Sequence, residues 1–294
     1  MISLIEALKN GKTLVSDGAW GTFLHQKGLQ PGECPELWNV THRSEVFSIA
    51  KSYVDSGADI ILTNSFGGSP IKLAHYGLEK RASELNEAAG AISREAAGND
   101  HIVLGSMGPT GVILMMGDVS EQSLYDGFFI QAQALKKGHV DAICIETMSA
   151  IDEACIAIRA AKEATGLEIV CTFTFEKTIS GEYKTMMGFS PVEMVSAVKE
   201  AGADVIGANC GNGFDQMIDI VSQIRSVDSL TPVLIHANAG KPILENGQTI
   251  FPETPEMMAS KVESLLKCGA NIIGGCCGTT PAHITAIAKK IREL

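Results

Sequence analysis

Eight short apolar runs, rich in β-branched residues, recur along the 294-residue chain, and this recurrence restricts the fold more than any other feature. They fall at residues 13–16, 59–62, 102–105, 142–145, 169–172, 205–208, 233–236 and 271–274, and most run into a Gly, Asn, Thr or Asp cluster. Between them, residues 46–56, 123–137, 151–164, 191–201, 217–224, 254–267 and 281–291 carry apolar side chains at helical spacing with polar ones opposite. Several of these helical stretches stop at Gly-Ala-Asp or a close variant, as at Gly57, Gly202 and Gly269, where glycine supplies a left-handed helix stop. Strand and helix alternating in this way imply parallel strands joined by right-handed crossovers. Eight units fit a closed α/β fold, the (β/α)8 TIM barrel, better than an open doubly wound sheet, because no dinucleotide-binding glycine fingerprint follows any run.

Composition narrows the function classes. A net charge of -11 works against binding to nucleic acid or to anionic membranes, both of which need clustered Lys and Arg. No run approaches the length of a membrane span, and residues 1–12 lack the apolar core of a secretory signal. Eight cysteines in such a chain point to reduced thiols or a metal site and to a cytoplasmic setting. No Pro/Ser-rich linker or charge block divides the chain, so residues 1–294 are expected to form a single barrel domain.

In a barrel the chemistry belongs at the carboxyl ends of the strands. Just past the apolar runs stand Asp17-Gly18-Ala19-Trp20-Gly21-Thr22, Thr63-Asn64-Ser65-Phe66, Glu146-Thr147-Met148, Asn209-Cys210-Gly211, Asn238-Ala239-Gly240 and Gly275-Cys276-Cys277-Gly278. Each alone is ordinary turn chemistry, and their shared register is what carries information. Cys210 ends the sixth run, and Cys276 and Cys277 end the eighth. Adjacent strand residues face opposite ways, so the vicinal pair can share one ion only where the backbone departs from regular geometry, which Gly274, Gly275 and Gly278 permit.

Three thiolates plus one exchangeable position suit a tetrahedral zinc site of the catalytic kind, at which a substrate thiol is deprotonated and held as a nucleophile. Two other readings stay open: all eight cysteines as small buried hydrophobes, or a vicinal disulfide. Cys34, Cys144, Cys155, Cys171 and Cys268 are read as structural. Asp17 and Glu146 read either as a pair of carboxylates for a substrate ammonium, or as a turn residue and a helix-start acid. Trp20 and Trp38 offer aromatic faces to a methyl donor or its cation, or simply pack. The seven histidines show no ligand spacing, and His236 reads as a core histidine with its hydrogen bonds met.

These motifs, with Gly207-Ala208-Asn209-Cys210-Gly211 and Gly274-Gly275-Cys276-Cys277-Gly278-Thr279-Thr280-Pro281, resemble the homocysteine S-methyltransferase family from the first strand to the last helix. Residues 31–39 and 72–77 look most like the homocysteine-binding module of cobalamin-dependent methionine synthase. The resemblance implies zinc on Cys210, Cys276 and Cys277, with homocysteine thiolate as fourth ligand and Asp17 and Glu146 near the ammonium. Gly18, Trp20, Thr22, Asn64, Asn209 and Asn238 are the remaining expected substrate contacts. Members of the family use a methylated corrinoid, betaine or S-methylmethionine. The expectation here is transfer from methylcobalamin on a separate corrinoid protein to homocysteine, giving methionine. A related demethylase and a purely structural zinc site are the competing readings. Two departures bear on the pocket: Trp20 stands where methionine is usual, and Gly211-Asn212-Gly213-Phe214 replaces a common Gly-Pro pair. The methionine-rich turn 185–188 reads either as packing or as part of the pocket lining.

Overall fold

The computed structural model describes residues 3–245 and 248–294. Eight parallel strands form one sheet: β1 (Leu14–Val15), β2 (Ile60–Leu62), β3 (Ile102–Met107), β4 (Ala142–Met148), β5 (Glu168–Phe173), β6 (Val205–Asn209), β7 (Val233–Ala237) and β8 (Ile272–Gly275). Pairing runs from β2 in sequence order to β8 and on to β1, where Leu14 faces Ile272 and Val15 faces Ile273. A parallel bridge between Ser16 and Ile60 joins β1 to β2 and closes the ring. The two-residue β1 is completed by a side chain, since the Asp59 carboxylate accepts the Val15 N–H at 2.9 Å while the Asp59 N–H donates to the Val15 carbonyl at 2.7 Å.

Each strand is followed by a helix on the outside: α1 (Arg43–Asp55), α2 (Ala82–Ala97), α3 (Glu121–Lys137), α4 (Ile151–Thr165), α5 (Pro191–Ala201), α6 (Phe214–Val227), α7 (Pro255–Cys268) and α8 (Pro281–Glu293). The expected (β/α)8 barrel is therefore the observed architecture. Gly202 and Gly269 end α5 and α7 at φ 112° and 105°, the left-handed stops read from the sequence. Helix α2 is the one that helical spacing did not single out. Its buried face is mostly Ala, Gly, Asn and Ser, with only Leu85 and Ile92 as bulky apolar anchors.

Strand alternation divides the buried residues in two. Leu14, Ile60, Leu62, Ile102, Leu104, Ala142, Cys144, Val170, Val205, Leu234 and Ile272 fill the barrel, with Leu4 among them. Their neighbours Val103, Ile143, Ile169, Ile206, Ile235 and Ile273 face outward and pack under the helices. Leu4 is completely buried and comes from a short helix, Leu4–Leu8, that stops the barrel. The carboxylate of Glu168 at the start of β5 holds that helix by accepting the Leu4 N–H and the Ser3 hydroxyl, both at 2.6 Å. Two hairpins decorate the other end: 176–177 paired with 183–184 after β5, and 243–245 paired with 248–250 after β7. A reading tuned to buried parallel strands has no signal for either, because both are short and largely exposed.

Candidate functional site

Toward the carboxyl ends of the strands the inward positions change character. Two residues beyond Leu104 on β3 stands Ser106; beyond Cys144 on β4, Glu146; beyond Val170 on β5, Thr172; beyond Leu234 on β7, His236. These polar groups are buried, and all but His236 enter side-chain hydrogen bonds. The Ser106 hydroxyl donates to the Glu146 carboxylate. Asn209 Oδ1 accepts from the Thr147 N–H and the Thr172 hydroxyl, each at 2.7 Å, and its amide donates to Thr147 Oγ1 at 2.7 Å. Between β4 and β5 the register slips so that Ile145 pairs with Cys171 but Met148 with Phe173. Thr147 is the extra residue of this bulge, at φ 62°, clamped by Asn209.

The cysteines follow immediately. Cys210, the first residue past β6, takes φ 59°, a left-handed conformation that costs a non-glycine residue roughly 1–2 kcal/mol. Its N–H donates to the His236 carbonyl at 2.9 Å. Beyond β8 the chain turns: the Cys276 N–H donates to the Ala237 carbonyl at 2.7 Å, the Cys277 carbonyl accepts from Ala239 at 3.0 Å, and Thr279 N–H closes on the Cys276 carbonyl at 3.1 Å. Gly278 makes the turn possible at φ 80°, and a Cβ there would lie 2.2 Å from the Phe251 ring. The irregular backbone required for neighbouring cysteines to converge is thus present, and the strained residue Cys210 adds a second irregularity.

The three sulfurs lie within 4.8 Å of one another, with Cys210 and Cys277 4.0 Å apart. Hydrogen bonding to Cys276 and Cys277 holds the Cys210 thiol well below the ordinary range, and hydrogen bonding to Cys210 pushes the Cys276 and Cys277 thiols up. The Asn238 side chain also hydrogen-bonds to Cys210, and its Oδ1 is buried without a partner. Such a set of soft donors around one point is the arrangement that a thiophilic metal ion requires.

A cavity of about 300 Å³ lies beside the sulfurs. It is lined by Asp17 and Glu146, by all three cysteines and by His236, with Gly18, Trp20, Asn64 and Phe66 around its mouth, and no Lys or Arg among the described residues reaches it. Asp17 Oδ2 accepts from Trp20 Nε1 at 2.9 Å and from the Leu62 N–H at 2.8 Å. Burial pushes both acids up to about 7, and for Asp17 the Glu146 charge adds to the rise. Asn64 is held by the Pro35 carbonyl at 2.8 Å and by Asn39. Thr22 lies on the helix Gly21–Gln26, Asn209 lies behind Thr147, and Asn238 lies behind Cys210, so these three are not part of the cavity wall. Trp38 is buried and stacked on His42 at 4.2 Å, away from the cavity.

The sequence assigned no site role to Ser106, Glu36 or His236, which also line the cavity. Ser106 lies one residue past the expected end of β3, where period-two counting from Leu104 would have found it. His236 differs from its reading: its Nε2 is buried with no hydrogen-bond partner among the described residues, and burial pushes the imidazole down to about 4, leaving it neutral.

The sequence profile of the homocysteine S-methyltransferases matches residues 14–291, spanning every barrel strand and both cysteine turns. The chain belongs to the homocysteine S-methyltransferase family. It is 29% identical to the methionine synthase of Mycobacterium tuberculosis over 96% of its own length, and 29% identical to that of Mycobacterium leprae over 98%. It spans about a quarter of the length of these curated relatives. Among solved structures it resembles the metallated form of the homocysteine methyltransferase MmuM from Escherichia coli, with a TM-score of 0.79 and 21% identity over 98% of this chain and 99% of that one. A methyltransferase from Methanosarcina mazei aligns at a TM-score of 0.62 and 11% identity, covering 96% and 94%. These structural likenesses concern the fold. None of the described helices is long and apolar enough to cross a membrane.

Proposed function

We propose that this family member, acting as one barrel module over residues 1–294, transfers a methyl group to the thiol of homocysteine to give methionine, with zinc held by Cys210, Cys276 and Cys277. The observation that carries the reading is the pairing, across one cavity, of three convergent sulfurs with the buried carboxylates of Asp17 and Glu146 and no Lys or Arg among the described residues. Zinc bound there would lower the pKa of a substrate thiol and keep it as a thiolate at neutral pH.

The chain supplies the rest. Asp17 and Glu146 each keep a carboxylate oxygen for the cavity once their Trp20, Leu62 and Ser106 bonds are made, which matches a substrate ammonium. Trp20, Asn64 and Phe66 complete the lining of the cavity. Holding the sulfur in line with the incoming methyl group converts a bimolecular reaction into an oriented one. The sulfur–carbon bond forms as the donor–carbon bond breaks, and the donor keeps the electron pair. As donor we infer a methylated corrinoid, methylcobalamin, delivered by a separate protein. Eight free cysteines fit a reducing, cytoplasmic setting.

Zinc-loaded protein, methylcobalamin and a panel of thiols test this. Methionine should form from homocysteine at least tenfold faster than the thioether of any thiol that lacks an ammonium group. Equal rates across the panel would remove homocysteine as the acceptor.

A further inference from the structure

Asp17 and Trp20 stand on one turn past β1, and that turn is held from outside the cavity. The Gly275 N–H donates to the Asp17 carbonyl at 2.8 Å, the Ala19 N–H donates to Thr279 Oγ1 at 3.0 Å, and the Tyr53 hydroxyl donates to the Ala19 carbonyl at 2.7 Å. A Cβ on Gly18 would lie 2.8 Å from Thr279 Oγ1 and 2.9 Å from the Tyr53 ring, so this backbone is packed as well as bonded. A change in the Trp20 side chain therefore leaves the course of the turn to contacts that do not involve it.

The indole packs against both the plug inside the barrel and the core under the helices, and it also lines the cavity. Trp20 precedes the helix Gly21–Gln26 without capping it through its side chain. Its one side-chain donor goes instead to Asp17 Oδ2 at 2.9 Å, the same oxygen that receives the Leu62 N–H at 2.8 Å. Two N–H donors on one oxygen fix the plane of the carboxylate and leave Oδ1 for the cavity. Methionine, the usual residue at this position in the family, has no N–H to give.

Resting on the methyl-transfer reading, we propose that Trp20 is a positioning residue that selects the length of the acceptor: by pinning the Asp17 carboxylate it fixes the span between the ammonium end of the cavity and the three sulfurs. An acceptor whose ammonium meets Asp17 Oδ1 then brings its thiol to the cysteines only with the right number of methylenes between, and cysteine is one methylene shorter than homocysteine. Held by the Leu62 N–H alone, the carboxylate can turn and follow a shorter acceptor.

The same contact bears on the charge of Asp17. Burial pushes this acid up to about 7 against the pull of the Leu62 and Trp20 N–H groups. Glu146, Tyr53, Cys144 and Cys276 interact with it electrostatically, and Glu36, His236, Cys210 and Cys277 line the same cavity. All of these stay in place when Trp20 is replaced, while loss of the indole N–H lets Asp17 keep its proton to higher pH.

The test titrates zinc-loaded wild type, W20F and W20M calorimetrically with homocysteine, cysteine and γ-mercaptobutyrate, which is homocysteine without its amino group. Both variants should lose about tenfold in homocysteine affinity at neutral pH, and the ratio to wild type should widen as pH falls. Cysteine affinity should hold or rise, so that the preference for homocysteine collapses, and γ-mercaptobutyrate affinity should stay within about twofold. Equal losses for all three thiols would make Trp20 a packing residue and overturn the proposal, as would an unchanged preference for homocysteine over cysteine in either folded variant. Wild type that binds γ-mercaptobutyrate as tightly as homocysteine would overturn the acceptor reading itself, and this proposal with it.

Discussion

The lower and upper halves of the barrel interior are built from the same strands and obey opposite rules. Below, Leu14, Ile60, Leu104, Cys144, Val170 and Leu234 close on one another around Leu4 as an unbroken apolar plug. One inward position higher stand Ser106, Glu146, Thr172 and His236, buried as deeply but polar, with His236 Nε2 and Ser16 Oγ left unpartnered. Buried polar atoms without partners cost stability, and buried carboxylates cost more. The contrast separates a lower half that serves folding from an upper half whose buried polar groups cost stability and line the candidate site.

That division can be broken from either side. The largest effect is expected from Leu104→Ala, which should lower unfolding free energy by about 2–5 kcal/mol through lost burial and a residual cavity, while homocysteine affinity stays within twofold. Chemical denaturation with parallel calorimetry checks both; a large affinity loss with little loss of stability would merge the two halves. Next comes Glu146→Gln, expected to weaken homocysteine binding by about 10–100-fold, roughly 1.4–2.8 kcal/mol.

The same substitution sharpens the contrast through pH. Asp17 and Glu146 titrate near 7 in the fold and, unfolded, near the usual carboxylate value of about 4. The folded protein therefore holds these protons longer, and the two groups lower stability as pH rises from about 4 to about 7. Glu146→Gln should flatten part of that decline, leaving the metal-free protein at pH 8 as stable as wild type or more so. A clear destabilisation at pH 8 would mean that Glu146 serves the fold.

The sequence showed the lower half well, because a run such as residues 102–105 is apolar whichever way it faces, and eight such runs with helices between them have few ways to close. It showed the cysteines and both acids because they fall just past the apolar runs, where polar residues stand out. Ser106 and His236 were hidden because a lone Ser or His in or beside an apolar strand resembles core; only the closed ring aligns them with Glu146. Asn209 reads as a substrate contact from its place at the end of β6, where its side chain is engaged by the bulge at Thr147. The left-handed conformation of Cys210 has no sequence signal at all, since glycine would be the expected residue there.

The central claim, that three cysteines present a metal to an acceptor thiol, is tested most directly at the metal itself. X-ray absorption at the zinc edge should show three sulfur ligands in the purified protein and four after homocysteine is added, with Cys276→Ser losing most of its zinc. Absent zinc, or a sulfur count indifferent to homocysteine, would contradict the account.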